Sequence, residues 1–330
     1  MIHPQFWPAG FDHAGKRVAV IGSGATAVTI VPAMTDKAAH VTMLQRTATW
    51  MAAGPSRDKW ANRMRKWLPG KLAYWLTRQK NIRLHYLFFR KARAKPDKAG
   101  AYLTGKLREE LGEHYSPDHF APPYGPWQQR LCLVPDGDFF AALKAGKASV
   151  VTATIEGFEA SGVRLANGER VPADVVVTAT GLRLAMGGKI AISLDGQPLD
   201  FRERWFYRGC MFSNVPNLAV VFGYLNASWT LRADNTADYV CRVLNTMSEK
   251  RADLVVPYLP EDHGMAEDDI IVFSSGYLRR ARPIMPRSAA TLPWRLNQDY
   301  HEDCRDFRQR PVEDGVLRFD KRAEAPAQAA

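Results

Sequence analysis

Lys16 to Ile21 (KRVAVI) ends in a short apolar run of the kind buried on both faces of a parallel sheet, and Gly22, Gly24 and a helix-forming stretch, Ala25 to Met34, follow directly. That order predicts strand, tight turn and helix. His40 to Gln45 (HVTMLQ) reads as the second parallel strand of a β-α-β unit and ends at Arg46. Residues 58 to 106 read as helices with loops, broken near Pro69-Gly70 and Lys95-Pro96, and a Pro-rich loop from His119 to Trp127 leads into "QQRLCLVPDGDFFAAL", Gln128 to Leu143. From Ala148 the pattern changes to strands. Ser149 to Ile155 alternates, Gly162 to Val171 carries Asn167-Gly168 at a hairpin turn, and Val175 to Thr180 (VVVTAT) is a buried strand closed by Gly181. Asn217 to Gly223 (NLAVVFG) is expected as another buried strand, and Thr230 to Met247 as a helix with Trp229 near its start. Past Lys250 the chain is rich in Pro, Arg and Asp, and residues 324–330 (EAPAQAA) are expected to be a disordered tail.

A chain of 330 residues with 46% hydrophobic content can build one large or two medium domains. It has no apolar run long enough to span a bilayer and no basic stretch followed by an apolar core and a small-residue cleavage site, so a cytoplasmic protein is expected. Cys132, Cys210, Cys241 and Cys304 are scattered without a C-x-x-C pair, which fits free thiols in a reducing compartment and disfavours a disulfide reductase. His114 and His119 lack a matching carboxylate pattern, and no metal site is expected.

Charge alters this picture in one place. The formal net charge is +11, and residues 56–108 hold sixteen Lys or Arg against two acids, interleaved with Trp60, Trp67, Leu72, Tyr74, Trp75, Tyr86, Phe88 and Phe89. Two readings stay open: an interfacial helix touching the inner face of a membrane, or an insertion that packs its aromatic face on the body and solvates its basic face. Single-stranded nucleic acid is a third, weaker reading, since nothing else in the chain resembles a nucleic-acid signature.

The chemistry concentrates at Gly22-Ser23-Gly24-Ala25-Thr26-Ala27, which is G-x-G-x-x-A. The first Gly permits the turn, the second lets backbone approach a pyrophosphate, and Ala27 lets helix and strand pack closely with the phosphates at the helix N-terminus. A strand before it and a helix after it turn a weak motif into a dinucleotide site. At the end of the second strand an NAD site offers Asp or Glu to the ribose, whereas this chain has Gln45, Arg46 and Thr47, so a 2'-phosphate meets a cation and a hydroxyl and NADPH is favoured. Thr180 and Gly181, closing the later strand, complete the expected cofactor-binding set.

"HPQFWP", with His3 and Trp7 in H-x3-W spacing, matches the end of the F-x-G-x3-H-x3-W-P fingerprint of the flavin-dependent Baeyer-Villiger monooxygenases. "GSGATAV", "LQRTATW" and "QRLCLVPDGDFF" follow in that family's order, and "GYLNASWTLRAD" and "PWRLNQDY" resemble its ethionamide-activating subgroup. The resemblance runs through essentially the whole chain. It implies an α/β fold: a Rossmann-like NADPH-binding domain (16–205, with the insertion at about 56–108) after a linker (1–15), then the C-terminal part of an FAD-binding domain (206–323). It implies FAD and NADPH as cofactors, with NADPH reducing a flavin that then uses molecular oxygen to oxygenate a small lipophilic ketone or sulfur compound. Arg130 falls on the family's active-site arginine, where developing negative charge wants a permanently charged, forked donor. His3 and Trp7 fall on linker positions that couple domain motion to the cofactor, while Gln129 departs from the Lys frequent beside the cofactor phosphate. The fingerprint's Phe and Gly and a first G-x-G-x-x-G turn for FAD would stand before His3, so an incomplete FAD site is expected. Gly223, Asn226, Ser228 and Trp229 would touch flavin only with that sheet supplied. The alternative reading is a non-catalytic NADPH-binding module, membrane-associated through the basic aromatic segment. Oligomeric state is not legible.

Overall fold

The computed structural model describes residues 1–129, 131–269 and 275–321. Contacts divide the chain into two units, Met1–Leu182 and Arg183–Ala330.

In the first unit, β1 (Arg17–Ile21) leads through the glycine turn into α1 (Ala25–Met34) and back into β2 (His40–Gln45). Then come β3 (Met51–Gly54), α2 (Lys59–Trp67), α3 (Gly70–Ala94), α4 (Pro96–Leu111), α5 (Pro117–Phe120), β4 (Cys132–Pro135) and α6 (Asp138–Lys144). Five strands close the unit: β5 (Ala148–Thr152), β6 (Ile155–Glu159), β7 (Gly162–Leu165), β8 (Arg170–Pro172) and β9 (Val175–Thr178). The main sheet has the order β5-β2-β1-β9, all parallel, so the third, second, first and fourth strands of this sheet lie side by side. That is the doubly wound order, whose reversal point lies between β1 and β9.

Both faces of this sheet are covered, which is why its strands read as unbroken apolar runs. Val18, Val20, Val41 and Met43 pack with α1 and α6 residues such as Val31, Phe139 and Phe140, whereas Ala19, Ile21 and Leu44 pack against Val163, Leu165 and Val171 of the antiparallel β6-β7-β8 sheet. Ser149 to Ile155 was expected to lie with the later strands as one alternating run. Instead it is split: β5 joins the parallel sheet beside β2, and the antiparallel meander starts at Ile155. Alternation alone does not reveal this, because one chain stretch serves two sheets. At the other edge, Ile2 pairs with Val177, its amide donating to Val176 O at 2.8 Å and its carbonyl accepting from Thr178 N at 2.8 Å.

The helical insertion breaks where Pro69-Gly70 and Lys95-Pro96 were expected to break it. Asp58 caps α2, its carboxylate accepting from the amides of Trp60 and Ala61, and it also binds Lys80 of α3 at 2.5 Å. Part of the insertion's aromatic face packs on the body: the rings of His85 and Phe89 each stand 5.5 Å from Trp127, edge to face.

The second unit carries two short hairpins, β10 (Ser193–Leu194) with β11 (Gln197–Pro198) and β12 (Phe206–Tyr207) with β13 (Met211–Phe212). After them come α7 (Trp229–Lys250), β14 (Leu254–Pro257), α8 (Gly276–Ala281), α9 (Tyr300–Arg308) and β15 (Leu317–Asp320), which pairs with β14. Residues 183–205 pack within this unit, with Phe201 and Phe212 rings 4.9 Å apart. α7 buries a stripe at four-residue spacing, Leu231, Asn235, Tyr239 and Val243, but two guanidinium groups lie inside as well. Arg232 is fully buried and pairs with Asp303, which also accepts from Tyr224 OH and from Asn297 Nδ2. Arg208 donates to Asp306 at 2.7 Å and to Asp314 at 3.1 Å. Asn217 to Gly223 is not the buried strand expected of it. It is irregular in structure, with Leu218, Val220 and Phe222 packed inward, Ala219 and Val221 exposed, and no ladder to another described strand.

Candidate functional site

The G-x-G-x-x-A residues sit at the carboxyl end of β1, at the reversal point of the sheet, where doubly wound folds bind ligands. Gly22 continues the β1–β2 ladder by one bond, its amide donating to Leu44 O at 2.8 Å. Its φ is +126°, and a Cβ there would overlap the carbonyl of Ala179 at the end of β9. The first glycine is therefore demanded by the fold itself, through both its dihedral and its neighbour.

Gly24 differs. Its φ of −78° suits any residue, and a Cβ built on it meets nothing within 4 Å. The turn thus leaves open space above Gly24 while no side chain caps α1 and no acid lies in its first turn. Uncapped amides facing open space suit an anion. Ala25 and Thr26 are exposed on this first turn, and Ala27 is fully buried against the sheet, as close helix packing requires.

Ser23 is held from below: its Oγ donates to Thr47 O at 3.2 Å and shares a 2.7 Å hydrogen bond with Thr49 Oγ1. This ties the glycine turn to the segment after β2. Arg46 and Thr47 are exposed there, and the Arg46 side chain has no hydrogen-bond or ion-pair partner among the described residues. Gln45 plays another role. It is buried, and its Nε2 donates to His119 O at 2.8 Å and Thr152 Oγ1 at 2.9 Å, so it holds the Pro-rich loop and does not face a cofactor. Thr180 and Gly181 are exposed just past β9, with Gly181 at φ +96°.

Gly22 through Ala27, Arg46, Thr47, Thr180 and Gly181 are therefore carried on the carboxyl ends of three adjacent strands, β2, β1 and β9, and the segments that leave them. Thr49 and Ala179 belong to this constellation and were not singled out from sequence. Thr49 lies within the quoted "LQRTATW" stretch, but nothing there marks it as the brace of Ser23, and Ala179 is more than 150 residues from the turn it abuts. Arg130 lies outside the described residues. His3 accepts a hydrogen bond from Gln5 N at 3.2 Å through Nδ1 and starts a one-turn helix, while Trp7 packs edge to face on Phe11 at 6.0 Å. Asn226 and Trp229 lie in the second unit. Asn226 donates to Gln298 O at 3.0 Å, and the Trp229 indole lies so close over Gly223 that any Cβ there would overlap it.

This chain is 44% identical over 324 residues to the probable FAD-binding monooxygenase AlmA of Acinetobacter baylyi, covering 98% of this chain and 65% of that protein. It is equally 44% identical over 324 residues to the FAD-containing monooxygenase EthA of Mycobacterium tuberculosis, covering 66% of it. To the putative FAD-containing monooxygenase MymA of Mycobacterium tuberculosis it is 39% identical over 332 residues, covering 99% of this chain and 67% of that one. The chain belongs to the Baeyer-Villiger, FAD-containing monooxygenase family. It spans about two thirds of the length of these curated family members. No family model matches it. Among solved structures, an oxidised steroid monooxygenase bound to NADP superposes with a TM-score of 0.69 at 18% identity, covering 97% of this chain and 70% of that one. Cyclohexanone monooxygenase from Rhodococcus sp. Phi1 bound to NADP+ superposes with a TM-score of 0.58 at 19% identity, covering 79% of this chain and 58% of that one. At those identities the likeness shows the fold, α/β with a Rossmann-like parallel sheet, which the monooxygenase family shares.

Proposed function

We propose that this chain binds NADPH at the Gly22 turn and serves an FAD-dependent oxygenation of Baeyer-Villiger type, acting with molecular oxygen on a small lipophilic ketone or sulfur compound. The observation that carries the cofactor half is the pairing of an open, uncapped α1 N-terminus above Gly24 with Arg46 at the end of β2, whose side chain has no partner among the described residues. NADPH supplies a hydride when bound. The amides of the first turn of α1 hold its pyrophosphate, Arg46 and Thr47 hold its 2'-phosphate, and Ser23, pinned to Thr47 and Thr49, keeps the two binding regions in register. Thr180 and Gly181 stand exposed just past the end of β9, beside the same turn.

The residues described do not form a comparable FAD cradle. The named strands of the second unit pair antiparallel, and no parallel strand, glycine turn and helix occurs among that unit's described residues; the parallel β4, the Gly137 turn and α6 belong to the first unit. No step through the flavin is therefore derived. Arg130 is our choice for the residue that stabilises negative charge during oxygen transfer, with His3 and Trp7 as linker positions and Asn226 and Trp229 as residues that reach FAD. Residues 56–108 make a peripheral contact with the inner face of a membrane.

A second reading, an NADPH-binding module without its own oxygenation chemistry, is favoured by the antiparallel pairing just described. Two measurements separate the readings. Calorimetry is expected to show NADPH binding more tightly than NADH, and failure to bind either removes both readings. The absorption spectrum after FAD incubation and desalting then divides them: a retained flavin band that NADPH bleaches supports oxygenation by this chain, and a colourless protein supports the module.

A further inference from the structure

The α2–α3 hairpin presents a surface that the dinucleotide site does not use. Twelve of the 45 Lys and Arg residues fall between residues 59 and 95, with none of the 34 acids, so the rest of the chain is close to charge balance. At the turn joining the two helices, Trp67, Tyr74 and Trp75 are 79%, 61% and 53% exposed, and Leu72 is exposed beside them. Arg63, Lys66 and Lys71 are exposed in the same stretch. Alongside, Arg57 and Arg65 line a recess of about 540 Å³ together with Ser56, Asn62, Thr77, Asn81 and the Asp58 carboxylate, whose charge Lys80 offsets. The hairpin's inner contacts are already made, since Ala61, Ala73 and Ile82 are buried and Lys80 is held by Asp58 and lies 4.8 Å over the Trp60 ring.

We propose that this tip docks on an anionic lipid bilayer, with Trp67, Leu72 and Trp75 at the acyl boundary, Arg63, Lys66 and Lys71 among the headgroups, and the Arg57–Arg65 recess taking a lipid phosphate. The proposal rests on the peripheral contact read above and is independent of the oxygenation chemistry. Charge complementarity selects the occupant. A long acid-free stretch would be attracted to any polyanion, but exposed indoles on a basic helical tip suit a surface that is charged outside and apolar a few ångströms deeper. Docking is by insertion of the tip alone, because no helix among the described residues is long and apolar enough to cross a membrane.

The test is flotation of the full 330-residue chain with vesicles of phosphatidylcholine alone or with about 30 mol% phosphatidylglycerol, an anionic fraction large enough for surface attraction. The parent is expected to float with the anionic vesicles and at least about tenfold more weakly with the neutral ones. Lys66→Glu with Lys71→Glu, and separately Trp67→Ser with Trp75→Ser, should each lower the partition coefficient about tenfold or more. Circular dichroism and the thermal midpoint confirm that each variant is folded. Should a variant unfold, quenching of the parent's tryptophan fluorescence by lipids brominated near the headgroup supplies an independent reading, expected to be strong. No flotation with anionic vesicles, unchanged flotation of both folded variants, or absent quenching overturns the proposal, as does a single-stranded oligonucleotide that binds at the same salt while vesicles do not. NADPH binding without vesicle binding sinks the docking alone, and vesicle binding without NADPH binding sinks the cofactor reading alone.

Discussion

At the level of single residues, the two glycines of one motif have different physical duties, and substitution separates them. Gly22→Ala forces a Cβ into the Ala179 carbonyl at a φ of +126°. It should cost at least about 2 kcal/mol in urea unfolding, with cofactor binding lost as a consequence. Gly24→Ala places its methyl in open space, so unfolding should shift by less than about 1 kcal/mol. The NADPH dissociation constant measured by calorimetry should nevertheless rise at least about tenfold, because the methyl occupies the path of the pyrophosphate. A destabilised Gly24→Ala chain would contradict this division. Arg46→Ala should weaken NADPH by about tenfold to a hundredfold, the range of a charge-assisted hydrogen bond to phosphate. NADH should be nearly unaffected, and equal losses for both cofactors would move the 2'-phosphate contact elsewhere.

Among the elements, the insertion and the 217–223 segment show how far a pattern carries. Proline and glycine positions mark the ends of α2, α3 and α4 because these residues act locally, through fixed φ or lost helix propensity. The apolar run Asn217 to Gly223 reads as a strand by the same kind of logic, yet a strand needs a neighbour. Here Leu218, Val220 and Phe222 find an inward face, while the amides of Ala219, Val221 and Phe222 have no hydrogen-bond acceptor among the described residues. Hydrogen exchange should therefore be fast at these three amides and slow at Val18 to Ile21 of β1, which lies between two parallel neighbours. Strong protection at Ala219, Val221 and Phe222 would mean that another strand covers this edge, whereas Val220, which donates to Cys210 O at 2.7 Å, is expected to be protected.

For the molecule as a whole, the polar interior of the second unit governs how stability responds to pH. Burial pushes the Asp303 carboxyl up to about 6, with Arg232, Tyr224 and Asn297 pulling it back. Burial also raises Asp306. Asp314 ends below the usual range despite burial, through the Tyr207 hydroxyl and the amides of Leu317 and Val316. Between about pH 4 and 6 the folded chain holds a proton on Asp303 that the unfolded chain has released. That carboxyl's contribution is thus fully present below about pH 4 and lost as the pH rises through about 6. Asp303→Asn should shrink this slope in thermal unfolding from pH 4 to 7. A variant that keeps the full slope would assign it to Asp306.

The amino-acid sequence by itself determined β1 to within one residue, the glycine turn, α1 and β2 residue by residue, the breaks in the helical insertion, and the family. These rest on short-range causes: side-chain period, backbone permissiveness and charge spacing act within a few residues. Tertiary structure alone decided that Ala179 closes on Gly22, that Thr49 braces Ser23, and that Gln45 turns inward while Arg46 stays exposed. It also split Ser149 to Ile155 between two sheets, left 217–223 without a ladder, and buried Arg232 and Arg208 inside the second unit. Each of these depends on which distant segment arrives alongside, and a local pattern carries no record of its future neighbour.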